Sequence, residues 1–465
     1  MSKTIRYYMG LIMIGYGLAQ IPIIMVSLIY GEIYHIYYLA STSILLITGL
    51  LLVRFAEKPV EIALVDPLII AVISFLIPGL TNTIVMIVTG FDPWDSLFES
   101  ISSITTTGLS LYSPNKLPYT IHFARAWLQW IGGVGIVILT LGMLLKPGTV
   151  AYKLLATHIR KEAVMPSVMV VARAVLCIYG LLTLISIIAY YLTGMSLFDA
   201  VIHGLTTIST GGFSTQETFP RNALWIAIVF MFLSAQSFSR FYMTFFKRRP
   251  RYLGMGPQIK SFIIINLIAI VLSYIAVNMF GSTIDFGDIV FNILSASTTT
   301  GYTTISVDEL PTVVKYIIIV LMIIGASLGS TGGGLKQYRF IILLKETWRR
   351  LLKVVSPHGR LIVVKINGEV IDDEEVYNNM LIISLYILSL TISTIIFLYT
   401  GYSLEDSLFT VASALGTVGL APSIVNHTLP WWSKLLLSMD MFIGRLEILP
   451  VASILPYVFD KMRGK

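Results

Sequence analysis

The chain has 465 residues, 56% hydrophobic and 12% charged, against a charged share of roughly 25% in a soluble globular domain. Together with a mean hydropathy of +0.83, that excludes a soluble protein and places the chain in lipid. The net charge of +7 is then a topology signal and not a sign of a nucleic-acid partner, and the single cysteine, Cys177, excludes a disulfide framework or a thiolate metal cluster.

The first apolar run, Met9 to Tyr30, is longer than a signal-peptide core and lacks a small-residue cleavage site before the next run, Tyr37 to Val53. Both are predicted to be retained spans. Lys3 and Arg6 precede this hairpin, and Arg54 and Lys58 follow it, so both ends fall on one side, the cytoplasmic one by the positive-inside bias. The same side collects Lys146, Lys153, Arg160 and Lys161, then Lys247, Arg248, Arg249 and Arg251, then Lys345, Arg349, Arg350 and Lys353, and finally Lys461, Arg463 and Lys465. Opposite loops carry few bases and include the acids Asp308 and Glu309. An even number of crossings therefore separates successive basic clusters, with both termini cytoplasmic.

Between those clusters one unit recurs four times: an apolar span, a short polar stretch rich in Thr and Gly, and a second apolar span. The stretches read Thr-Thr-Thr-Gly-Leu-Ser at 105–110, Ser-Thr-Gly-Gly-Phe-Ser at 209–214, Thr-Thr-Thr-Gly-Tyr-Thr at 298–303 and Gly-Thr-Val-Gly-Leu-Ala at 416–421. Aligning Gly108, Gly212, Gly301 and Gly419 puts Asp95, Asp199, Asp288 and Asp406 in register thirteen positions upstream. Thr106, Thr210, Thr299 and Thr417 stand two positions upstream, and an apolar residue always follows the glycine. Internal repeats with one motif at one place mark a pseudo-symmetric transport protein. The predicted divisions are 1–58 for an N-terminal hairpin, then repeats at 59–161, 162–251, 252–355 and 356–465, the last including a cytoplasmic β-hairpin.

Each Asp suits the N-cap of a helix such as Ser96 to Ile104, too short to span. Whether these aspartates only cap or also attract ions is open. Such a re-entrant helix directs its partly negative C-terminus inward, where a cation is stabilised. Glycine then lets the chain turn back with carbonyls facing the axis, and four such segments replace the hydration shell of a monovalent cation. The predicted filter is Thr106, Thr107, Gly108, Thr210, Gly211, Gly212, Thr299, Thr300, Gly301, Thr417, Val418 and Gly419.

Gly329, Gly332, Gly333 and Gly334 crowd one apolar run, so the helix is predicted to break there, either as a movable gate or as a plain turn. Arg445, deep in the last span, costs about 2.5–3.5 kcal/mol there unless paired or wetted. It faces the pore or forms a salt bridge with Glu447 or Asp440. Arg125 and Arg240 are open to a simpler reading, snorkelling to an interface. His203 reads as a packed or capping residue. Pro357 to Glu375 contains Asn367-Gly368, a hairpin signal. A carrier with a midplane site and an intramembrane enzyme are the rivals; the first does not require four copies of one motif, and the second lacks a catalytic dyad.

Leu-Gln-Trp-Ile-Gly-Gly-Val-Gly at 128–135, Ile-Ser-Thr-Gly-Gly-Phe-Ser-Thr at 208–215, Gly-Ser-Thr-Gly-Gly-Gly-Leu-Lys at 329–336 and Met-Phe-Ile-Gly-Arg-Leu-Glu at 441–447 resemble the Trk/Ktr/HKT superfamily of potassium transporters. The resemblance covers essentially the whole chain, and the N-terminal hairpin favours the TrkH-type branch. It implies an all-α polytopic protein of ten transmembrane helices with four helix–pore-loop–helix repeats around a central pore. It further implies K+ as the transported and filter-bound ion with no organic cofactor, an intramembrane gate ending at Lys336, and Arg445 as a barrier below the filter. Its partners would be a second copy, each keeping its own pore, and a TrkA/KtrA-type cytoplasmic nucleotide-binding ring docked at the β-hairpin. Relatives with serine at the first filter glycine admit sodium; Gly108 keeps the glycine, which the resemblance reads as potassium selectivity.

Overall fold

Long apolar runs become helices because lipid offers backbone groups no outside partner. The computed structural model describes residues 3–56, 66–144, 168–246, 256–357 and 362–448, with positions 248 and 254. Lys58, Lys146, Lys153, Arg160, Lys161, Lys247, Arg249, Arg251, Lys461, Arg463 and Lys465, and the predicted boundaries at 58/59, 161/162 and 251/252, lie outside the described residues.

The N-terminal hairpin consists of α1 (Lys3–Ala19), α2 (Ile21–Ile29) and α3 (Tyr34–Phe55). The helix is interrupted at Gln20, just ahead of Pro22, whose ring cannot continue an interior turn. Gly10 of α1 and Gly49 of α3 allow close backbone approach: a Cβ on either would stand 2.8 Å from the other's carbonyl oxygen.

Four units follow. The first contains α4 (Asp66–Val88), α5 (Pro93–Ile104) and α6 (Tyr119–Leu144). The second contains α7 (Val168–Leu192), α8 (Leu197–Ile208), α9 (Leu224–Ser234) and α10 (Phe238–Phe245). The third contains α11 (Pro257–Met279), α12 (Phe286–Ser297), α13 (Thr312–Ile324) and α14 (Gln337–Val355). The fourth contains α15 (Asp373–Phe397), α16 (Leu404–Leu415) and α17 (Trp431–Leu446).

Seven helical runs among the described residues are long and apolar enough to cross a membrane, and an eighth counts if α9 and α10, bent by 85°, form one span. Ten were expected. The two left over are α13 and α17, with 13 and 16 residues. At about 1.5 Å per residue neither reaches the roughly 30 Å of hydrocarbon. Each stops at a positive-φ residue, Gly325 (71°) and Glu447 (63°).

Between α14 and α15, β1 (Lys365–Ile366) pairs antiparallel with β2 (Glu369–Val370) around Asn367-Gly368. Both turn residues have positive φ, 54° and 83°, as a two-residue primed turn requires. The predicted β-hairpin is present but minimal, and positions 358–361 of its predicted stretch lie outside the described residues. Val364, Ile366 and Ile371 bury against Tyr338, Ile341 and Ile342 of α14.

Candidate functional site

The four short helices α5, α8, α12 and α16 are all 12 residues long. Their N-caps are Asp92, Ser196, Asp285 and Ser403, three residues before the aspartates singled out in the sequence. That corrects the capping assignment. Asp95, Asp199, Asp288 and Asp406 occupy the first turn, where negative charge favours the helix dipole. Ser196 and Ser403 accept the backbone N–H of Asp199 and Asp406, which is the N-cap bond, and their hydroxyls donate to the same residues' carboxylates at 2.7 and 2.8 Å.

At their other ends the helices finish identically. Thr106, Thr210, Thr299 and Thr417 adopt positive φ of 54°, 52°, 58° and 49°. The Thr106 N–H donates to Ser103 O and the Thr107 N–H to Ser102 O, the paired bonds of a Schellman cap, with equivalents at Thr210, Thr299 and Thr417. Glycine normally takes that left-handed position; here a β-branched residue does, in all four copies. Gly108, Gly212, Gly301 and Gly419 follow, again with positive φ.

The glycines join the four segments into a ring. A Cβ added to Gly108 would collide with Gly211 O, one on Gly212 with Thr300 O, one on Gly301 with Val418 O, and one on Gly419 with Thr107 O. Each glycine therefore lies against the carbonyl that precedes the glycine of the next unit, and the fourth closes on the first. All twelve residues predicted as a filter belong to these four segments. Apart from the four partly exposed glycines, they are buried. The buried hydroxyls of Thr106 and Thr417 have no protein partner.

Two further positions in the same register support the ring and were missed in the sequence. Six residues before the glycine stand Ser102, Thr206, Ser295 and Ser413. Ser102 and Ser295 donate to Leu109 O and Tyr302 O, both at 2.7 Å, while Ser413 accepts the Gly419 N–H at 3.0 Å. Nine residues before it stand Glu99, His203, Asn292 and Thr410, and three of them hold the outgoing strand. Glu99 accepts from Leu111 N–H at 2.7 Å, the ring of His203 bonds Ser214 Oγ at 3.1 Å, and Asn292 accepts the Thr303 hydroxyl at 2.9 Å. Arg125 does not snorkel: it pairs with Glu99 at 3.1 Å and lies 3.7 Å from the centre of the Phe213 ring. Arg240 donates to Gly254 O.

Against the C-terminal ends of the short helices lies the segment from Gly325 to Lys336. Thr331 Oγ1 donates to Ile208 O at 3.0 Å, Gly333 N–H to Thr299 Oγ1 at 2.6 Å, and Gly334 N–H to Gly416 O at 3.0 Å. Gly329 O accepts the Phe238 N–H at 2.9 Å, and a Cβ on Gly332 or Gly333 would run into Ala326 or Gly416 O. Lys336 itself has positive φ (80°), and its buried ammonium donates to Gly332 O within the segment. Arg445 is 3% exposed and clamps the segment from α17, donating to Thr331 O at 2.6 Å and to Gly132 O of α6 at 3.1 Å. Neither expected salt bridge forms. Glu447 pairs with Arg339 of α14, and Asp440 accepts the Ser393 hydroxyl at 2.7 Å.

The family model for TrkH, described as a cation transport protein, matches residues 38–455. An uncharacterised cation transporter of Methanocaldococcus jannaschii is 30% identical over 464 residues, covering 99% of this chain and 96% of its own. The Trk system potassium uptake protein TrkH of Halomonas elongata is 29% identical over 474 residues, 97% of each chain. The crystal structure of the potassium transporter TrkH from Vibrio parahaemolyticus superposes with a TM-score of 0.88 at 26% identity, covering 97% of this chain and 98% of that one. Those relatives are transporters and not enzymes, and this multi-pass membrane protein belongs to the TrkH family of cation transport proteins.

Proposed function

We propose that this chain takes up potassium across the plasma membrane, and that the ring of four Thr/Gly segments is its selectivity filter. The observation that carries this reading is the closed contact circuit from Gly108 to Gly211, Gly212 to Thr300, Gly301 to Val418 and Gly419 to Thr107. One ring made from four segments offers carbonyls from four directions, the arrangement that replaces a hydration shell. The short helices add their partly negative C-termini on one side of the ring. The unpartnered hydroxyls of Thr106 and Thr417 are further oxygen donors for a cation. The potassium in the printed names of the Halomonas and Vibrio relatives supports the choice of ion.

In this reading each unit contributes two crossings and one re-entrant helix, ten crossings with the N-terminal hairpin, and the unit divisions are those drawn from the sequence. The segment Gly325 to Lys336, with Arg445 holding it, is the gate beneath the filter. The basic clusters put both termini in the cytoplasm. The β1–β2 hairpin then faces the cytoplasm and is the docking surface for a nucleotide-binding regulatory ring, and the chain works as a homodimer with one pore per protomer.

Uptake of radioactive rubidium into potassium-loaded proteoliposomes tests the reading, with external sodium or potassium as competitor, for the wild type and Gly108→Ser. The expected result is uptake blocked by potassium and not by sodium, with that discrimination lost in the variant, whose Cβ meets Gly211 O at a φ of 85°. Absence of any monovalent cation flux, with the regulatory subunit present, would overturn it.

A further inference from the structure

Three of the four joints between successive units carry the same device on the side where the short helices begin. A base near the head of one unit's returning helix reaches an acid in the first turn of the next unit's short helix. Arg221 meets Asp288 at 2.9 Å, Lys315 meets Glu405 at 2.9 Å, and Lys434 meets Asp95 at 2.5 Å. The last pair closes the circle from the fourth unit to the first. The joint from the first unit to the second has the acid, Asp199, but among the described residues no base forms an ion pair with it. Its carboxylate takes the hydroxyl of its own cap, Ser196.

That joint is where the N-terminal hairpin sits. Tyr30, between α2 and α3, stacks on Tyr119 of α6 with centroids 4.2 Å apart and planes 7° from parallel. It also meets Phe198, the neighbour of Asp199, edge-on at 5.4 Å, while Tyr119 and Phe198 touch at 4.9 Å. Two residues on, the Glu32 carboxylate accepts the N–H groups of Tyr119 and Thr120 at 2.9 and 2.8 Å and the Thr120 hydroxyl at 2.5 Å. Those are orphan donors of the first turn of α6, which follows Pro118, a residue with no side-chain acceptor to cap them. Deeper in, Ile23 and Tyr38 of the hairpin share one buried cluster with Phe123, Ala124 and Ala126 of α6 and Ile202 and Leu205 of α8.

We propose that the hairpin is the fourth fastening of the ring, with Tyr30 and Glu32 as positioning residues that hold the first unit against the second where no ion pair does. The link to the filter is short: Gln129 of α6 donates to Gly211 O at 2.6 Å, so a shift of α6 against α8 moves the carbonyl that faces Gly108. The inference rests on the reading of the ring as a potassium filter.

Its test is rubidium uptake with sodium as competitor, on the full chain carrying Tyr30→Ala, Glu32→Ala, Tyr30→Phe or Ile47→Ala, beside wild type and Gly108→Ser. Sodium should compete about fivefold more strongly in Tyr30→Ala, the scale of one lost aromatic pair, and about tenfold or more in Glu32→Ala, the scale of one lost hydrogen bond to a charged group, with maximal uptake kept within about twofold. Tyr30→Phe, which keeps the stack, and Ile47→Ala, on an exposed face of α3, should match the wild type. A merely structural loss lowers the amount of active protein and leaves the competition ratio alone. Unchanged competition in folded Tyr30→Ala and Glu32→Ala, while Gly108→Ser admits sodium, would overturn the inference; should Tyr30→Ala not fold, Glu32→Ala decides. Unchanged competition in Gly108→Ser as well would remove the filter reading beneath it.

Discussion

Thr106, Thr210, Thr299 and Thr417 hold a backbone conformation that costs a β-branched residue of order 1–3 kcal/mol each. The Schellman bonds and the glycine contacts of the ring over-determine it, and what glycine would not supply at these positions is a hydroxyl. Thr210 Oγ1 donates to Ser209 O at 2.6 Å and Thr299 Oγ1 accepts from Gly333, whereas Thr106 and Thr417 have none to satisfy them in the protein. Thr417→Val should therefore weaken rubidium binding by roughly fivefold, the scale of one hydrogen bond of about 1 kcal/mol, while Thr210→Val changes it little. Competition uptake compares the two, and equal effects would contradict the assignment. The sequence made the glycines and threonines legible because identity repeats there. It misplaced the caps because those alternate between Asp and Ser, at 92, 196, 285 and 403, while the invariant Asp three residues later stood out. The hydroxyls six residues before the glycines were readable in the same register; the mixed Glu99, His203, Asn292 and Thr410 were not, since only their shared role unites them.

At the scale of elements, the segment between α13 and α14 is fastened to three short helices and to α17 through backbone groups. Its glycines announced a broken helix in the sequence, but no local pattern gives the partner of Arg445. Asp440 is five residues away, which on a helix of 3.6 residues per turn points it to another side, and Glu447 lies beyond the last turn. Hydrogen bonds to a charged group contribute about 1.5–3 kcal/mol each, so Arg445→Gln should free the segment and raise maximal rubidium flux by roughly tenfold or more. Flux measurements without the regulatory subunit check this, and a fall in flux from well-folded protein would contradict it.

Across the whole molecule, a ring assembled from segments about a hundred residues apart depends on its joints, and the joints were the least legible feature. The long apolar spans follow from local apolar runs; which base meets which acid follows from packing between units. The end of the molecule that carries the β-hairpin shows the same division. Arg349 of α14 bonds Glu346 at 2.5 Å and Asp373 at 2.6 Å, tying α14 to the start of α15 beside the β-hairpin. Gly368 sits at φ 83° in its turn, so Gly368→Val should disrupt the hairpin at a cost of about 1–3 kcal/mol. The expected outcome is intrinsic rubidium flux near the wild type with stimulation by the regulatory subunit lost, read from uptake with and without that subunit. Retained stimulation would place the docking surface elsewhere.

The central claim, one cation site made by four segments, is tested most directly by crystals of this protein grown in rubidium and measured for anomalous scattering. The account predicts an anomalous peak on the axis of the ring, among the carbonyl oxygens of Thr107, Gly211, Thr300 and Val418. Peaks only elsewhere, with an empty ring, would contradict it.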